Sequence, residues 1–387
     1  MITLAFVLKI KNPVPSKSFI NVPVRESRPS GKSASRWQIC EGAHPLPDDS
    51  SLKAALAAFG LLRRAEDERA LVIFMISGGG SSMIEWPLGP QVTINDIRAT
   101  NRELISSGAS IAEINAIRQT FSAVKGGGLA KRAPNADQIT LVISDTPKGQ
   151  ESIVASGPTC DPPTGAPEAG AVLDLYGLEK KLPLAILDLV KLPLQSTISK
   201  RESRLRQHYV LLDNETAVEL AKDNALRRGF VVESRSEISE QPVDVGSRLI
   251  LSSLAELRSR TSTGNRIACL ISGGEFSCRV RGNGVGGRNA ETALRLAIEM
   301  DENRQDNTNS ESLAVLSAGT DGTDGNSPAA GAIATDNTIE RAEFIGLHPA
   351  DFLDRSDAFS FFNSLDDAIL TGPTGTNVRD LRIAIAR

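Results

Sequence analysis

The fold is decided by the stretch Ala70-Leu-Val-Ile-Phe-Met-Ile-Ser-Gly-Gly-Gly-Ser-Ser82. Its first seven residues form a continuous apolar run, which is typical of a strand that a sheet buries on both faces. Glycine and serine at Ser77–Ser82 then predict a loop at the carboxyl end of that strand. A helical pattern at Ser50–Arg64 comes just before, so the stretch indicates a parallel β/α architecture.

The same alternation of helix and strand continues in both directions. The predicted helices are Ser50–Arg64, Thr93–Ser107, Ser110–Val124, Asn214–Arg228, Pro242–Arg260 and Asn289–Met300. The predicted strands are Ala70–Ile76, Gln138–Ile143, His208–Leu212, Phe230–Ser234, Ile267–Ile271, Phe276–Val280 and Leu313–Ser317. This pattern predicts the α/β class with parallel strands in the N-terminal part.

We expect two folded domains, residues 44–260 and 266–387, because the polar, glycine-containing segment Thr261–Asn265 separates two sets of elements. Residues 1–43 are expected to be an irregular or shortened start. The prolines of the first 25 residues, Pro13, Pro15 and Pro23, break any amphipathic helix.

Composition excludes several classes of function. The 387 residues carry a net charge of −4 and only 4% aromatic residues, which argues against binding of nucleic acid. No apolar run is long enough to cross a bilayer. The four cysteines form no CxxC pair, which excludes zinc ribbons and indicates a reducing compartment. We therefore expect a cytoplasmic protein; the acid-free residues 1–25 leave mitochondrial targeting as the alternative.

Two glycine-rich loops are candidate anion sites, Ser77–Ser82 and Gly282–Gly287. Each follows a predicted strand, and glycine lets backbone N–H groups approach a phosphate or carboxylate. The alternative for either loop is a tight turn with no ligand. Gly282–Gly287 also matches GxGxxG, but no acidic residue ends the next strand about 20 residues later, so NAD binding is weakly indicated.

Acidic residues in loops suggest metal or proton chemistry. Asp321 and Asp324 stand three apart in a glycine loop and offer oxygen ligands for Mg²⁺. The alternative is a pair of Asx-turns that hold the loop. Asp145 stands at a strand end, where a metal ligand or a general base would lie.

Basic residues near the glycine loops could neutralise a phosphoryl group. Arg118 and Lys125 lie seven apart on a helical pattern and so share a face, which is either functional or simply exposed. Arg288 begins a helix, where the helix dipole disfavours a cation unless an anion binds there. The alternative for Arg288 is a surface pair with Glu275 or Glu291.

Taken together and in order, the motifs resemble those of the class II glycerate kinases, whose C-terminal module is the MOFRL domain. The matching segments are Ser77–Ser81, Ile114–Arg118, Val124–Gly128, Ile143–Asp145, Ala155–Thr159, Ile271–Glu275, Gly286–Glu291, Gly319–Gly325 and Thr371–Val378. The resemblance implies a Rossmann-like N-terminal domain with a parallel sheet and a smaller α/β C-terminal domain, with the site in the cleft between them. It also implies ATP-dependent phosphorylation of D-glycerate to 2-phosphoglycerate with Mg²⁺.

Under this interpretation Arg288, Lys125 and Asp145 are catalytic, and Asp321 and Asp324 hold Mg²⁺. The residues expected to bind glycerate or nucleotide are Ser77, Gly78, Gly79, Gly80, Ser81, Arg118, Glu275, Gly286, Gly287, Asn289, Thr374 and Asn377. The family's Gly-x-Gly-Lys-Ala loop has no counterpart, since Gly31-Lys32-Ser33 stands in a different context, and we expect impaired turnover. Two alternatives remain open: an NAD(P)H-dependent hydroxypyruvate reductase, a name that members of the family often carry, and a non-catalytic ligand-binding paralogue.

Overall fold

The computed structural model describes residues 4–9, 18–23, 37–43, 45–192, 205–261, 266–306 and 312–387. Contacts divide the chain into two compact units, Met1–Leu211 and Leu212–Arg387, hereafter the first unit and the second unit. The sequence-predicted boundary at 261–265 lies inside the second unit. The reason is strand pairing: the strand at Val231–Ser234 runs parallel to the strand at Ala268–Gly274 and so joins the second unit's sheet.

The first unit contains a six-stranded mixed sheet in the order β3-β2-β1-β4-β5-β6. Its strands are β1 (Leu4–Lys9), β2 (Ser18–Pro23), β3 (Trp37–Gly42), β4 (Leu71–Ser77), β5 (Asp137–Ile143) and β6 (Arg206–Leu212). As expected, β4 runs parallel to β5. Strand β1 is antiparallel to both of its neighbours, β2 and β4, which sequence analysis did not foresee.

The N-terminal residues form strands where an irregular start was expected. The described parts of residues 1–43 are β1, β2 and β3, and β2 and β3 pair in parallel. Pro13, Pro15 and the Gly31-Lys32-Ser33 segment lie outside the described residues. Pro23 is the last residue of β2, an end position at which a strand tolerates proline.

The α-helices described beside this sheet are α1 (Asp49–Asp67), α2 (Ile94–Ser106), α3 (Ile111–Phe121), α4 (Ala169–Leu175) and α5 (Leu184–Lys191). The first three begin where side chains cap them. Asp48, Thr93 and Ser110 each accept a hydrogen bond from a backbone N–H of the first turn, within a reciprocal capping box. Helix α1 then buries one alanine-rich face, which lies mainly against β3 and also contacts β2 and β4.

The second unit contains its own six-stranded sheet in the order β11-β10-β9-β12-β8-β7. Its strands are β7 (Val231–Ser234), β8 (Ala268–Gly274), β9 (Leu313–Gly319), β10 (Gly331–Thr335), β11 (Ala368–Ile369) and β12 (Asp380–Ala386). Only β7 and β8 pair in parallel among these described strands. The predicted strand Phe276–Val280 is wrong: the segment is irregular, with one isolated bridge at Ser277.

The helices of the second unit are α6 (Asn214–Arg227), α7 (Val243–Thr261), α8 (Arg288–Asp306), α9 (Thr338–Phe344), α10 (Pro349–Asp354) and α11 (Ala358–Ser364). Helix α8 lies at the centre of the apolar core, which includes Leu294, Ala297 and Phe361. The architecture confirms the α/β class. No helix among the described residues is both long and apolar enough to cross a membrane.

Two helix-interior glycines give a matched test of this packing. A Cβ at Gly246 of α7 would overlap the ring of Phe276, which is 2% exposed, whereas a Cβ at Gly60 of α1 would meet nothing within 4 Å. We expect Gly246→Ala to destabilise the protein by about 1–3 kcal/mol through overpacking. Gly60→Ala should stabilise it by about 0.5–1 kcal/mol through helix propensity. Urea unfolding followed by circular dichroism measures both, and equal effects would contradict the packing of α7.

Candidate active site

Parallel pairing brings two predicted site segments together in the first unit. Ser77, the last residue of β4, lies opposite Ile143, the last residue of β5, so both strands end at one edge of the sheet. The Ser77–Ser82 loop and Asp145 leave from that edge. Gly78 lies so close to Asp145 that a Cβ at position 78 would overlap its carboxylate. The structure therefore explains the glycine and places the loop beside Asp145.

The backbone of the Ser77–Ser82 loop has N–H groups to offer. In the part of the chain that the structure describes, no acceptor takes a hydrogen bond from the N–H of Gly79, Ser81 or Ser82. Gly79 is exposed and has a φ of +80°, a conformation that favours glycine. The Ser82 hydroxyl is buried without a partner among these residues. Such a set of donors fits an anion.

Lys125 does not share a helix face with Arg118, as the sequence pattern had suggested, because α3 ends at Phe121. Its ammonium is buried in an ion pair with Glu85, and the two side chains are only 2% and 1% exposed. Ser122 Oγ donates a second hydrogen bond to Glu85, at 2.5 Å. Burial lowers the pKa of Lys125, and Glu85 opposes that shift. Lys125 would have to leave Glu85 to contact a ligand.

The first two glycines after Lys125 are hydrogen-bonded through their backbone N–H groups to a strained loop. The N–H of Gly126 donates to Ser156 O at 3.2 Å, and the N–H of Gly127 donates to Gly157 O at 2.7 Å. Ala155 and Ser156, neither of them glycine, have φ values of +52° and +64°. Left-handed non-glycine residues cost free energy and concentrate at functional sites. Two of the predicted motifs, Val124–Gly128 and Ala155–Thr159, thus form one structural element.

In the second unit, Asp380 is the residue that organises the sheet edge. It begins β12 and lies opposite both Gly274 of β8 and Gly319 of β9. Asp380 is fully buried and accepts two hydrogen bonds from Arg288, at 2.5 Å from Nε and 3.0 Å from Nη2. Asp380 could not be predicted as a site residue, because nothing in its local sequence distinguishes it from any strand residue.

Arg288 also pairs with Glu275, at 2.8 Å, which is one of the two alternatives that its sequence position left open. Burial lowers the pKa of the guanidinium, but the hydrogen bond and charge of Asp380 outweigh burial and raise it. The anion that compensates a cation at the start of α8 is therefore supplied by the protein itself. Arg288 remains 35% exposed, so its predicted catalytic role stays a prediction.

The centre of the Gly282–Gly287 loop does not form the expected backbone cradle, because the N–H groups of Gly284, Val285 and Gly286 are already donated within the protein. Gly284 donates to Arg355 O at 2.9 Å, and Val285 donates to Asp357 Oδ1 at 2.9 Å. Gly286 donates to Asn326 Oδ1 at 2.8 Å. The GxGxxG pattern therefore marks a tightly bonded turn, and the acceptors lie 40 or more residues away in sequence.

The predicted metal pair has separate structural roles. Asp324 is 2% exposed and caps α8: it accepts hydrogen bonds from the N–H of Asn289 at 3.0 Å and of Ala290 at 2.8 Å. Gly287 is needed beside it, because a Cβ there would overlap the Asp324 carboxylate. Asp321 accepts a hydrogen bond from Thr323 N at 3.1 Å, which is the Asx-turn alternative. The described residues contain no cluster of three or more potential metal ligands.

Of the two remaining predicted residues, Thr374 contacts the Gly319–Gly325 loop and Asn377 stabilises its own turn. Thr374 Oγ1 donates to Thr320 O at 2.6 Å, and Asn377 Oδ1 accepts from Arg379 N at 2.9 Å. A buried arginine that sequence analysis missed, Arg382, lies with its guanidinium 3.8 Å from the ring centroid of Phe276. Burial lowers the pKa of Arg382 to about 10.

Comparisons with known proteins agree with this architecture. Residues 3–191 match the family described as "Domain of unknown function (DUF4147)", and residues 268–380 match the MOFRL family. The D-glycerate 2-kinase of Thermotoga maritima is 35% identical over 350 residues, which cover 90% of this chain and 80% of that protein. The chain belongs to the glycerate 2-kinase family. This confirms the family that the motifs predicted, and with it the fold of the glycerate 2-kinases.

Other members of the glycerate 2-kinase family show the same extent of similarity. The glycerate 2-kinase of Pyrococcus horikoshii is 32% identical over 92% of this chain and 79% of that protein. A relative from Agrobacterium vitis that carries a hydroxypyruvate reductase name is 36% identical over 92% of this chain and 88% of that protein. The crystal structure of a Thermotoga maritima glycerate kinase matches with a TM-score of 0.81 and 32% identity, covering 95% of this chain and 84% of that one.

The buried cap of α8 predicts a pH effect on stability. Burial raises the pKa of Asp324 from its ordinary 3.8 to about 6. Because the folded pKa is the higher one, the contribution of this group is fully present below pH 3.8 and is lost as the pH rises through 6. We expect the free energy of unfolding of the wild type to fall by roughly 3 kcal/mol relative to Asp324→Asn between pH 3.8 and pH 7. Urea titrations at several pH values measure the difference, and parallel pH profiles would contradict this account.

Proposed function

We propose that this chain transfers a phosphoryl group from ATP to the 2-hydroxyl of D-glycerate. The observation that supports it is the arrangement at the β4 and β5 ends: N–H groups of Gly79, Ser81 and Ser82 beside the Asp145 carboxylate. Phosphoryl transfer requires mainly that anions be positioned and a hydroxyl be oriented. A loop of backbone donors with a neighbouring carboxylate meets those two requirements.

In the proposed reaction the backbone donors hold an anionic group of the bound reactants, and Asp145 accepts a hydrogen bond from the 2-hydroxyl. The 2-oxygen forms a bond to the γ-phosphorus as the bond between that phosphorus and the leaving ADP oxygen breaks. The hydroxyl proton passes to the Asp145 carboxylate. A positioned general base of this kind contributes about 10²- to 10⁴-fold to the rate.

The predicted metal ligands, Asp321 and Asp324, limit how Mg²⁺ can bind. Asp324 is committed to α8 and Asp321 to its own turn, so the two do not fit a shared metal site. Mg²⁺ usually keeps several waters and binds the phosphates of a nucleotide. We therefore propose that Mg²⁺ enters as a complex with ATP.

One observation disfavours the reductase alternative. A dinucleotide-binding GxGxxG loop must offer N–H groups to a pyrophosphate. The N–H groups of Gly284, Val285 and Gly286 are donated to protein acceptors instead. We expect no oxidation of NADH or NADPH with hydroxypyruvate.

A cytoplasmic location and a small-molecule substrate as the main partner also remain our predictions.

An assay of ADP release with D-glycerate, together with ³¹P NMR of the product, tests the proposed function. We expect a phosphate ester at carbon 2. The same assay measures kcat, which we still predict to lie well below an ordinary value of about 10 s⁻¹. ATP and glycerate binding without any product would support a non-catalytic paralogue and contradict the proposal.

Two variants test the role of Asp145. We expect Asp145→Asn to lower kcat by about 10²-fold or more, since the proton acceptor is lost. Gly78→Ala should lower kcat by about 10²-fold, because the new Cβ displaces the carboxylate without removing it. The exposed Asp67→Asn is the matched control for loss of one negative charge, and Gly60→Ala is the control for the glycine change. Unchanged kcat in Asp145→Asn would overturn the assignment.

A further inference from the structure

Helix α3 carries two polar residues on one face, Asn115 and Arg118, three positions apart. Asn115 is 2% exposed and Arg118 is half-buried. Arg118 Nε donates to Asn101 Oδ1 of α2 at 2.7 Å. Among the described residues, none accepts a hydrogen bond from the two Nη groups of Arg118, and none forms a salt bridge with it. The end of the guanidinium fork is therefore without a protein partner in this part of the chain.

The charges around Arg118 do not balance. Its electrostatic neighbours are Lys125, a second cation, and Glu85, the carboxylate that is already bonded to Lys125. Burial lowers the pKa of Arg118, and the charge of Glu85 opposes the shift. Two cations thus share one carboxylate in a largely buried place. A buried charge without a counterion is costly, so the cluster has room for one further negative charge.

A buried donor beside Arg118 is also unsatisfied. Asn115 Oδ1 accepts a hydrogen bond from Ser156 Oγ at 2.9 Å, which leaves the amide Nδ2 as a donor. That nitrogen is buried and has no partner among the described residues. Buried donors are nearly always satisfied in folded proteins. The unsatisfied amide donor and the unpaired end of the guanidinium thus lie on the same face of α3, three positions apart.

We propose that Arg118 and the Asn115 amide bind the carboxylate of a small 2-hydroxy acid. A carboxylate is planar and accepts two parallel hydrogen bonds from a guanidinium fork. Its single negative charge equals the single positive charge left over by Arg118, Lys125 and Glu85. This inference rests on the proposed function, and it assigns the acid end of the substrate to α3.

Calorimetric binding of D-glycerate to the full chain tests the proposal without requiring turnover. Arg118→Lys keeps the charge but loses the fork, and we expect the Kd for D-glycerate to rise about 10- to 100-fold. Arg102→Lys is the matched control, since Arg102 is exposed on the neighbouring helix α2. We expect D-lactate, which keeps the 2-hydroxy acid, to compete with D-glycerate, and glycerol, which lacks the carboxylate, not to compete.

A second variant distinguishes ligand binding from a structural role. Asn115→Asp keeps the oxygen that accepts from Ser156 but replaces the donor by a negative charge. We expect D-glycerate binding to weaken by about 100-fold or more, while the thermal midpoint stays the same or rises because the new charge neutralises Arg118. If the cluster has only a structural role, D-glycerate affinity and the thermal midpoint should either both fall or both stay unchanged.

The outcomes separate this inference from the proposed function. D-glycerate and D-lactate binding that depends on Arg118, with no phosphoryl transfer, would remove the proposed function and leave the carboxylate site standing. If Arg118→Lys weakens the binding of ATP–Mg²⁺ but not of D-glycerate, the anion is a phosphate and the inference is overturned. Unchanged D-glycerate binding in both Arg118→Lys and Asn115→Asp would also overturn it.

Discussion

The register of β4 against β5 is the constraint on which the proposed site depends. Because Ser77 and Ile143 are paired, the two strands end together, and the chain must turn twice at one edge. Two turns at one edge bring Gly78 against the Asp145 carboxylate, which leaves no space for a side chain at position 78. A shift of one residue in this register would turn every side chain of β4 to the opposite face and separate the loop from Asp145.

The two glycine-rich loops illustrate how similar sequences serve different purposes. Both follow the predicted pattern of an anion-binding turn. In the second unit the protein supplies its own anions: Asp380 pairs with Arg288, and Asp324 caps α8. In the first unit the cluster around Arg118 has a surplus cation, and the Ser77–Ser82 loop has N–H groups without acceptors among the described residues. Unbalanced charge and unsatisfied donors, rather than the glycine pattern itself, indicate where a ligand binds.

Much of the fold could be predicted from the sequence, because apolar runs such as Ala70–Ile76 and capping residues such as Asp48 act locally. The site could be predicted only in part. Asp145 and the Ser77–Ser82 loop could be proposed from the sequence because both lie at the end of a recognisable strand. Asp380 and Glu85 were missed, since their importance comes from partners far away in sequence. Glu85 meets Lys125, 40 residues later, and Asp380 meets Arg288, 92 residues earlier.

Amide hydrogen exchange at single-residue resolution tests most directly the claim that the first glycine loop binds the ligand and the second is structural. Without ligand, the account predicts rapid exchange at Gly79, Ser81 and Ser82 and slow exchange at Gly284, Val285 and Gly286. Adding D-glycerate with a non-hydrolysable ATP analogue and Mg²⁺ should slow exchange in the first set and leave the second unchanged. Protection that appears only at Gly284–Gly286, with residues 79–82 still exchanging rapidly, would contradict the account.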